Sequence, residues 1–216
     1  MANELRPRCR STTHTSITKE HASVSEITMK SPVDLDPLSA SDGNVTLEDA
    51  YATSKIQVRA GAGTIAAALL SVSYGSSTRN DAGDLVCGSR PDEWTIYGDP
   101  GRADTIAASV PTEGFVTVID ITHGRAMLRI SGSNAASALQ KICNLDLSDE
   151  LTPNGAVFSG SLGGVSCDWV RDDQSGETSF LISCERSFGK FLFIAVADAC
   201  IEFGLHVPAG WELHGH

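Results

Sequence analysis

The chain has 216 residues, 41% hydrophobic and 20% charged, the balance of a folded protein long enough to bury a core without staples. A formal net charge of -11 excludes a general nucleic-acid binder, because a phosphate backbone needs a basic face. No apolar run reaches the ~18 residues of a membrane helix, and the polar, Ser/Thr-rich start does not read as a signal peptide, so the expectation is a cytoplasmic chain with no membrane partner.

Residues 1–30 lack hydrophobic periodicity and read as a flexible tail. Residues 31–38 place Val33, Leu35 and Leu38 around Pro32 and Pro37, an extended segment expected to dock on a partner. A strand follows over 51–59, then a helix over 64–72 opened by Gly61 and Gly63. Short strands at 85–87 and 94–97 and a helix over 102–109 complete a β-α-β-β-α unit ending near Pro111. The second unit repeats that order. It has strands over 115–121 and 126–131, a helix over 135–143 with Leu145-Asp146-Leu147 continuing outward, strands over 157–161 and 165–171 around Gly163-Gly164, a turn at 172–176, a strand over 178–184 and a long helical pattern over 188–203 stopped by Gly204. Helices mixed with antiparallel strands predict an α+β fold rather than a doubly wound sheet.

The six cysteines form no C-x-x-C pair, which argues against a zinc knuckle or a dithiol redox site. Reduced thiols are expected, with Cys143, Cys184 and Cys200 as small core residues. Gly61-Ala62-Gly63-Thr64-Ile65-Ala66 has the form of a dinucleotide fingerprint, and Asp81 lies ~20 residues on. However, Asp81 falls in an Asn80–Gly83 turn and too few β-α units follow, so the glycines read as a loosened helix start. His214-Gly215-His216 lacks a third ligand and reads as a solvated end. His123 sits in the corner Asp120-Ile121-Thr122-His123-Gly124-Arg125. It either meets a ligand or partner, or the corner's polar residues simply satisfy the backbone of the turn. Arg171-Asp172-Asp173 and Glu185-Arg186-Ser187 end neighbouring strands, where an arginine can pair with an acid across the hairpin. There is no G-x-S-x-G elbow, P-loop or H-E-x-x-H.

Val118 to Ala126, with its Asp-Ile-Thr-His-Gly-Arg core, and Leu128 to Ala135, a strand–Gly–helix step, resemble the aminomethyltransferase fold, the T-protein of glycine cleavage. A closer resemblance, over 31–205, is to the gamma subunit of heterotetrameric sarcosine oxidase and the similar subunit of N-methylglutamate dehydrogenase. It rests on Arg90-Pro91-Asp92-Glu93-Trp94, the Thr-His-Gly-Arg corner, Leu139 to Leu147, Pro153-Asn154-Gly155 and Arg186-Ser187-Phe188. The resemblance implies two ferredoxin-like, T-protein-like α+β units with antiparallel sheets, over 31–112 and 113–216.

It further implies a non-catalytic subunit in a complex that oxidatively demethylates an N-methyl amino acid and passes the carbon to tetrahydrofolate. FAD, FMN, NAD, tetrahydrofolate and zinc would sit in other subunits, and larger flavoprotein and folate-binding subunits would be the partners. T-proteins carry Gly-Gly-x-x-Asp-Asp, whose first Asp assists the folate chemistry. Here Gly163-Gly164-Val165-Ser166-Cys167-Asp168 puts a thiol at that position and, by strand alternation, turns Asp168 to the opposite face. No catalytic, cofactor or metal residue is therefore assigned. His123, Arg125, Asp168, Arg171 and Arg186 stand as interface or vestigial ligand contacts. The alternative is a stand-alone folate-binding C1 transferase of the T-protein family.

Overall fold

Hydrophobic alternation in the strands and short apolar stripes in the helices build two antiparallel sheets in the computed structural model, which describes residues 29–208. The expected tail, Cys9 and the terminal His214 and His216 lie outside those residues, except for Met29 and Lys30. The elements in chain order are β1 (Leu38–Ser39), β2 (Thr46–Asp49), β3 (Ser54–Ala60), α1 (Ile65–Leu70), β4 (Ser77–Arg79), β5 (Leu85–Arg90), β6 (Glu93–Gly98), α2 (Ala103–Ser109), β7 (Val116–Asp120), β8 (Arg125–Ser131), α3 (Ala135–Gln140), β9 (Val157–Leu162), β10 (Val165–Arg171), β11 (Ser179–Glu185) and α4 (Gly189–Cys200). The α+β class is as the patterning predicts. The strands β1, β2 and β4 are too short to show a period and carry no local signal.

The sheets do not follow the halves of the chain. One has the order β4-β5-β6-β3-β7 and the other β1-β2-β8-β11-β10-β9. Thus β7, from beyond residue 112, completes the sheet of the first unit, while β2, from before it, pairs with β8 in the other. Backbone pairing joins whatever segments the core brings side by side, and chain order gives no sign of this exchange.

Each sheet buries both faces. Ile56, Val58, Trp94 and Ile96 of the five-stranded sheet pack under α1 and α2, against Ala66, Leu70 and Ile106. Leu47, Leu128, Ile130, Trp169, Phe180 and Ile182 of the six-stranded sheet pack under α3 and α4, against Leu139, Leu192, Phe193 and Val196. Between the sheets lie Leu85, Cys87 and Tyr97 from one and Met127, Val157, Val170 and Leu181 from the other. The layer order is helices, sheet, sheet, helices.

Local chemistry fixes the connections. Thr64 caps α1 by accepting from Ala67 N at 3.2 Å, and Asp81 sits in the turn before Asp84, so the glycine-rich start is a capped helix entry. Gly163 and Gly164, at φ +56° and +82°, make the two-residue turn between β9 and β10, a conformation L-residues resist. The last helical pattern is a 3-10 turn at Arg186–Phe188, α4, and a second 3-10 turn at Ile201–Phe203 ended by Gly204 in the left-handed region.

Two expectations need correction. Residues 31–38 dock on this chain's own core, not on a partner: Val33 and Leu38 are 4% and 8% exposed and join the cluster under α3 and α4, and Leu35 packs against it. Its prolines and spacing hide this, because the element it joins lies beyond residue 120 in sequence. Leu147, expected to lead outward, is buried in the same cluster.

The arm fits because position 189 has no side chain. A Cβ on Gly189 would come within 2.6 Å of Ala126 Cβ and 2.9 Å of Pro32 Cγ. Gly189→Leu should therefore lower unfolding stability by about 1–3 kcal/mol in urea titration. Hydrogen exchange should then be faster across residues 30–38 than in the wild type; unchanged exchange there would mean that the arm is held elsewhere.

Candidate functional site

Alternation along β10 puts Cys167 into the core and Asp168 on the other face. The register aligns Asp168 with Ser183 on β11 and Ser159 on β9, and Arg125 reaches in from β8. Arg125 Nη2 donates to Asp168 Oδ2 and, at 3.1 Å, to Ser183 O. Its Nε donates to Ser183 Oγ at 3.1 Å and its Nη1 to Glu185 Oε1 at 3.2 Å, while Ser159 Oγ donates to Asp168 Oδ1 at 2.9 Å. Both oxygens of Asp168 are thus engaged within the chain. Cys167, which the resemblance sets at the acid position of T-proteins, is 1% exposed, and burial pushes its thiol up to about 12. It supplies neither a carboxylate nor, near neutral pH, a thiolate.

The corner after β7 gathers two more of the expected residues. His123 Nδ1 lies 2.7 Å from the Tyr51 hydroxyl. Arg186 stacks over the Tyr51 ring at 5.0 Å and donates to His123 O at 3.3 Å and Lys30 O at 2.5 Å, tying the arm to the corner. The backbone of the turn is served by its own side chains: Asp120 Oδ1 accepts from Thr122 N at 2.8 Å, and Thr122 Oγ1 accepts from Lys55 N at 2.9 Å.

Beneath the corner lies a group that sequence reasoning missed. Lys55 is fully buried, and its ammonium donates to the carbonyls of Tyr51 (2.7 Å), Thr53 (2.9 Å) and Thr122 (3.2 Å). Burial lowers its pKa from 10.5 to about 8, opposed by the charges of Asp49 and Asp120. A lysine within Ser-Lys-Ile-Gln-Val could have been flagged, since alternation turns it to the face opposite Ile56 and Val58.

Arg171 belongs to neither cluster. It is buried at the far end of β10, where Nη1 donates to Thr152 O at 2.6 Å and pairs with Asp149 at 2.7 Å. Its Nε donates to Asp173 Oδ1 at 3.0 Å. Burial opposes its charge, but Asp173 and Asp149 outweigh that and raise its pKa. It latches the 149–154 loop to the hairpin, a structural role. The expected pair across the hairpin does not form: Arg171 is paired with Asp173 in its own turn and with Asp149 in the preceding loop, because the antiparallel register sets Phe180 opposite it and puts Glu185 at the other end of β11.

Next to it, the two sheets part around a cleft of about 450 Å³ with Leu85, Tyr97 and Leu181 among its lining residues. Asp172 accepts from Arg79 Nη2 at 2.7 Å and 2.9 Å, from Arg129 Nη2 at 2.9 Å and from Gln174 Nε2 at 2.8 Å, while Arg102 pairs with Asp84. These residues come from five separate stretches of sequence, so no motif announces them. Arg79 and Arg129 share the one buried carboxylate of Asp172, and Arg102 has that of Asp84. Among the described residues no three His, Cys, Asp or Glu side chains group to hold a metal.

No protein-family model matches the chain. An aminomethyltransferase of Bacillus velezensis is 32% identical over 99 residues, which are 46% of this chain and 26% of that one. The chain therefore spans about a quarter of that curated relative's length. Among solved structures, a chain of heterotetrameric sarcosine oxidase from Corynebacterium sp. U-96 matches 76% of this chain and 88% of its own length, with a TM-score of 0.64 and 25% identity. The glycine cleavage aminomethyltransferase T of Bartonella henselae matches 69% of this chain and 44% of its own, with a TM-score of 0.55 and 17% identity. The fold is that of the T-protein aminomethyltransferases. The chain also resembles, over most of its length, one chain of a sarcosine oxidase.

Lys55→Met keeps the stem's packing but strands three carbonyls, and should cost about 2–4 kcal/mol at pH 7. Between pH 8 and 10.5 the unfolded chain holds more of this proton than the folded one, so stability from Lys55 rises with pH across that window. The gap between wild type and Lys55→Met should widen there by up to about 3 kcal/mol in urea titrations. A gap that narrows would place the folded pKa above 10.5.

Proposed function

We propose that the chain is a gamma-like, non-catalytic subunit of a sarcosine oxidase-type complex. That complex oxidatively demethylates an N-methyl amino acid, such as sarcosine or N-methylglutamate, and passes the carbon to tetrahydrofolate. The observation that carries this reading is the match over 88% of one chain of a heterotetrameric sarcosine oxidase, a chain somewhat shorter than this one. FAD, FMN, NAD, tetrahydrofolate and zinc would be held by other subunits, with larger flavoprotein and folate-binding chains as partners in the cytoplasm. Two features support a scaffolding role. The acid position of the T-protein motif is a buried thiol, and the neighbouring carboxylate is taken up by Arg125 and Ser159. Large apolar side chains also lie open on the surface, Phe115 at 78%, Leu151 at 67% and Phe188 at 49% exposure among them.

A stand-alone folate-binding C1 transferase is the second reading, favoured by the 32% identity over 99 residues to an aminomethyltransferase. Affinity purification of the tagged chain from its native cells separates the two. The first expects co-elution with larger chains that bring flavin absorption and sarcosine- or N-methylglutamate-oxidising activity. A lone chain that forms methylenetetrahydrofolate from an aminomethyl donor overturns it.

Cys167→Asp tests the same point from within. A carboxyl placed in that apolar site takes up a proton and finds no shell to orient it. The variant should lose about 2–4 kcal/mol in urea titration and form no methylenetetrahydrofolate above the wild-type blank. Activity above the blank would mean that an intact folate pocket surrounds residue 167.

A further inference from the structure

Among the described residues the two sheets end in β1, β9, β4 and β7; the chain closes β1 and β4 itself and pins β9 at both of its ends. β1 has two residues, and the next, Ala40, bridges to Leu205. β4 has three, with Ser77 N donating to Gly155 O at 2.7 Å. Beside β9, Val157 N donates to Gly75 O and Gly163 N to Ile142 O, and Leu145 lies against Gly160. β7 is different. Among the described residues it pairs only with β3, it runs five residues with one charge at its end, Asp120, and it carries no lysine, proline or bulge of the kind that keeps exposed edges from pairing.

The register says which groups are free. Ile121 N donates to Lys55 O and Gly61 N to Phe115 O, so the odd residues of this segment bond to β3. The backbone groups of Val118 and Asp120, and the carbonyl of Val116, then point to the open side. Phe115 and Ile119, 78% and 48% exposed, flank them.

We propose that β7 takes up an extended strand of a different, larger chain, which continues the five-stranded sheet by backbone hydrogen bonds. This rests on the multi-subunit reading above. A second copy is the poorer occupant. Pairing five residues of each copy covers far less than the ~1,600 Å² of a stable complex, and both copies carry a net charge of -11. The incoming strand therefore belongs to a chain that adds contacts elsewhere, is apolar at alternate positions to meet Ile119, and is neutral or basic.

The test uses the native complex purified through the tagged chain. In the isolated chain the amides of residues 116–120 that face outward exchange fast, and in the complex they exchange at least tenfold more slowly. Val118→Pro removes one outward N–H and leaves the β3 bonds intact, so the isolated variant folds but recovery of the partner chains falls at least tenfold. Ile119→Lys, which puts a charge on the edge without touching the backbone, gives the same loss and decides the matter if the proline variant does not fold.

Equal exchange in both states, or assembly of Ile119→Lys at wild-type yield, overturns the proposal. So does slow exchange in the isolated chain, which would mean that the chain fills its own edge, or a homodimer that Ile119→Lys breaks. A wild-type chain that elutes without partners overturns the subunit reading as well, whereas failure of the edge test with partners still bound overturns the edge alone.

Discussion

The layer of side chains between the two sheets is the constraint on which the rest of the molecule depends. Leu85, Cys87 and Tyr97 meet Met127, Val157, Val170 and Leu181 there, so neither sheet can leave a polar face to water over this area. The central strands accordingly lose their alternation: Phe180, Leu181 and Ile182 are consecutive and all buried. What cannot be apolar at the margin of that layer is paired. Asp172 holds Arg129 of one sheet and Arg79 of the other on a single carboxylate, and Lys55 is held by three carbonyls. Removing one member of such a set leaves a buried charge without a partner, a larger loss than the pair's net contribution.

The same saturation governs the row of polar side chains around Asp168. A carboxylate that acts on a ligand needs a lone pair free for it and a charge that its surroundings do not already cancel. Asp168 has one oxygen on Arg125 and the other on Ser159, and Arg125 spends its remaining donors on Ser183 and Glu185. The row crosses four strands and ties them at one level. The cleft near Asp172 has the same character, with Arg79 and Arg129 sharing Asp172 and Arg102 held by Asp84.

The corner after β7 joins three parts of the chain that are far apart in sequence. Tyr51, His123 and Arg186 stack and bond in one cluster, and Arg186 also receives the arm at Lys30. With Pro32 seated on Gly189, the arm is part of the core of the second sheet. What these internal contacts leave open includes the edge of β7 and the scattered exposed aromatics.

Composition and periodicity by themselves determined the α+β class, the long last helix, the Gly163-Gly164 turn, and the separation of Cys167 from Asp168 onto opposite faces. Each of these is a local rule: a period of two or 3.6, a positive φ, a strand's alternation. The segments from Val118 to Ala126 and from Leu128 to Ala135 also carried the likeness to T-proteins that the fold bears out. Only the tertiary structure decided that β7 crosses to the first sheet and β2 to the second, that Val33 and Leu38 close the chain's own core, and that Arg171 is a latch while Arg125 and Asp168 meet. Those outcomes depend on which distant surfaces bury one another, and a segment such as 31–38 has the same sequence whether its apolar side chains face a partner or its own sheet.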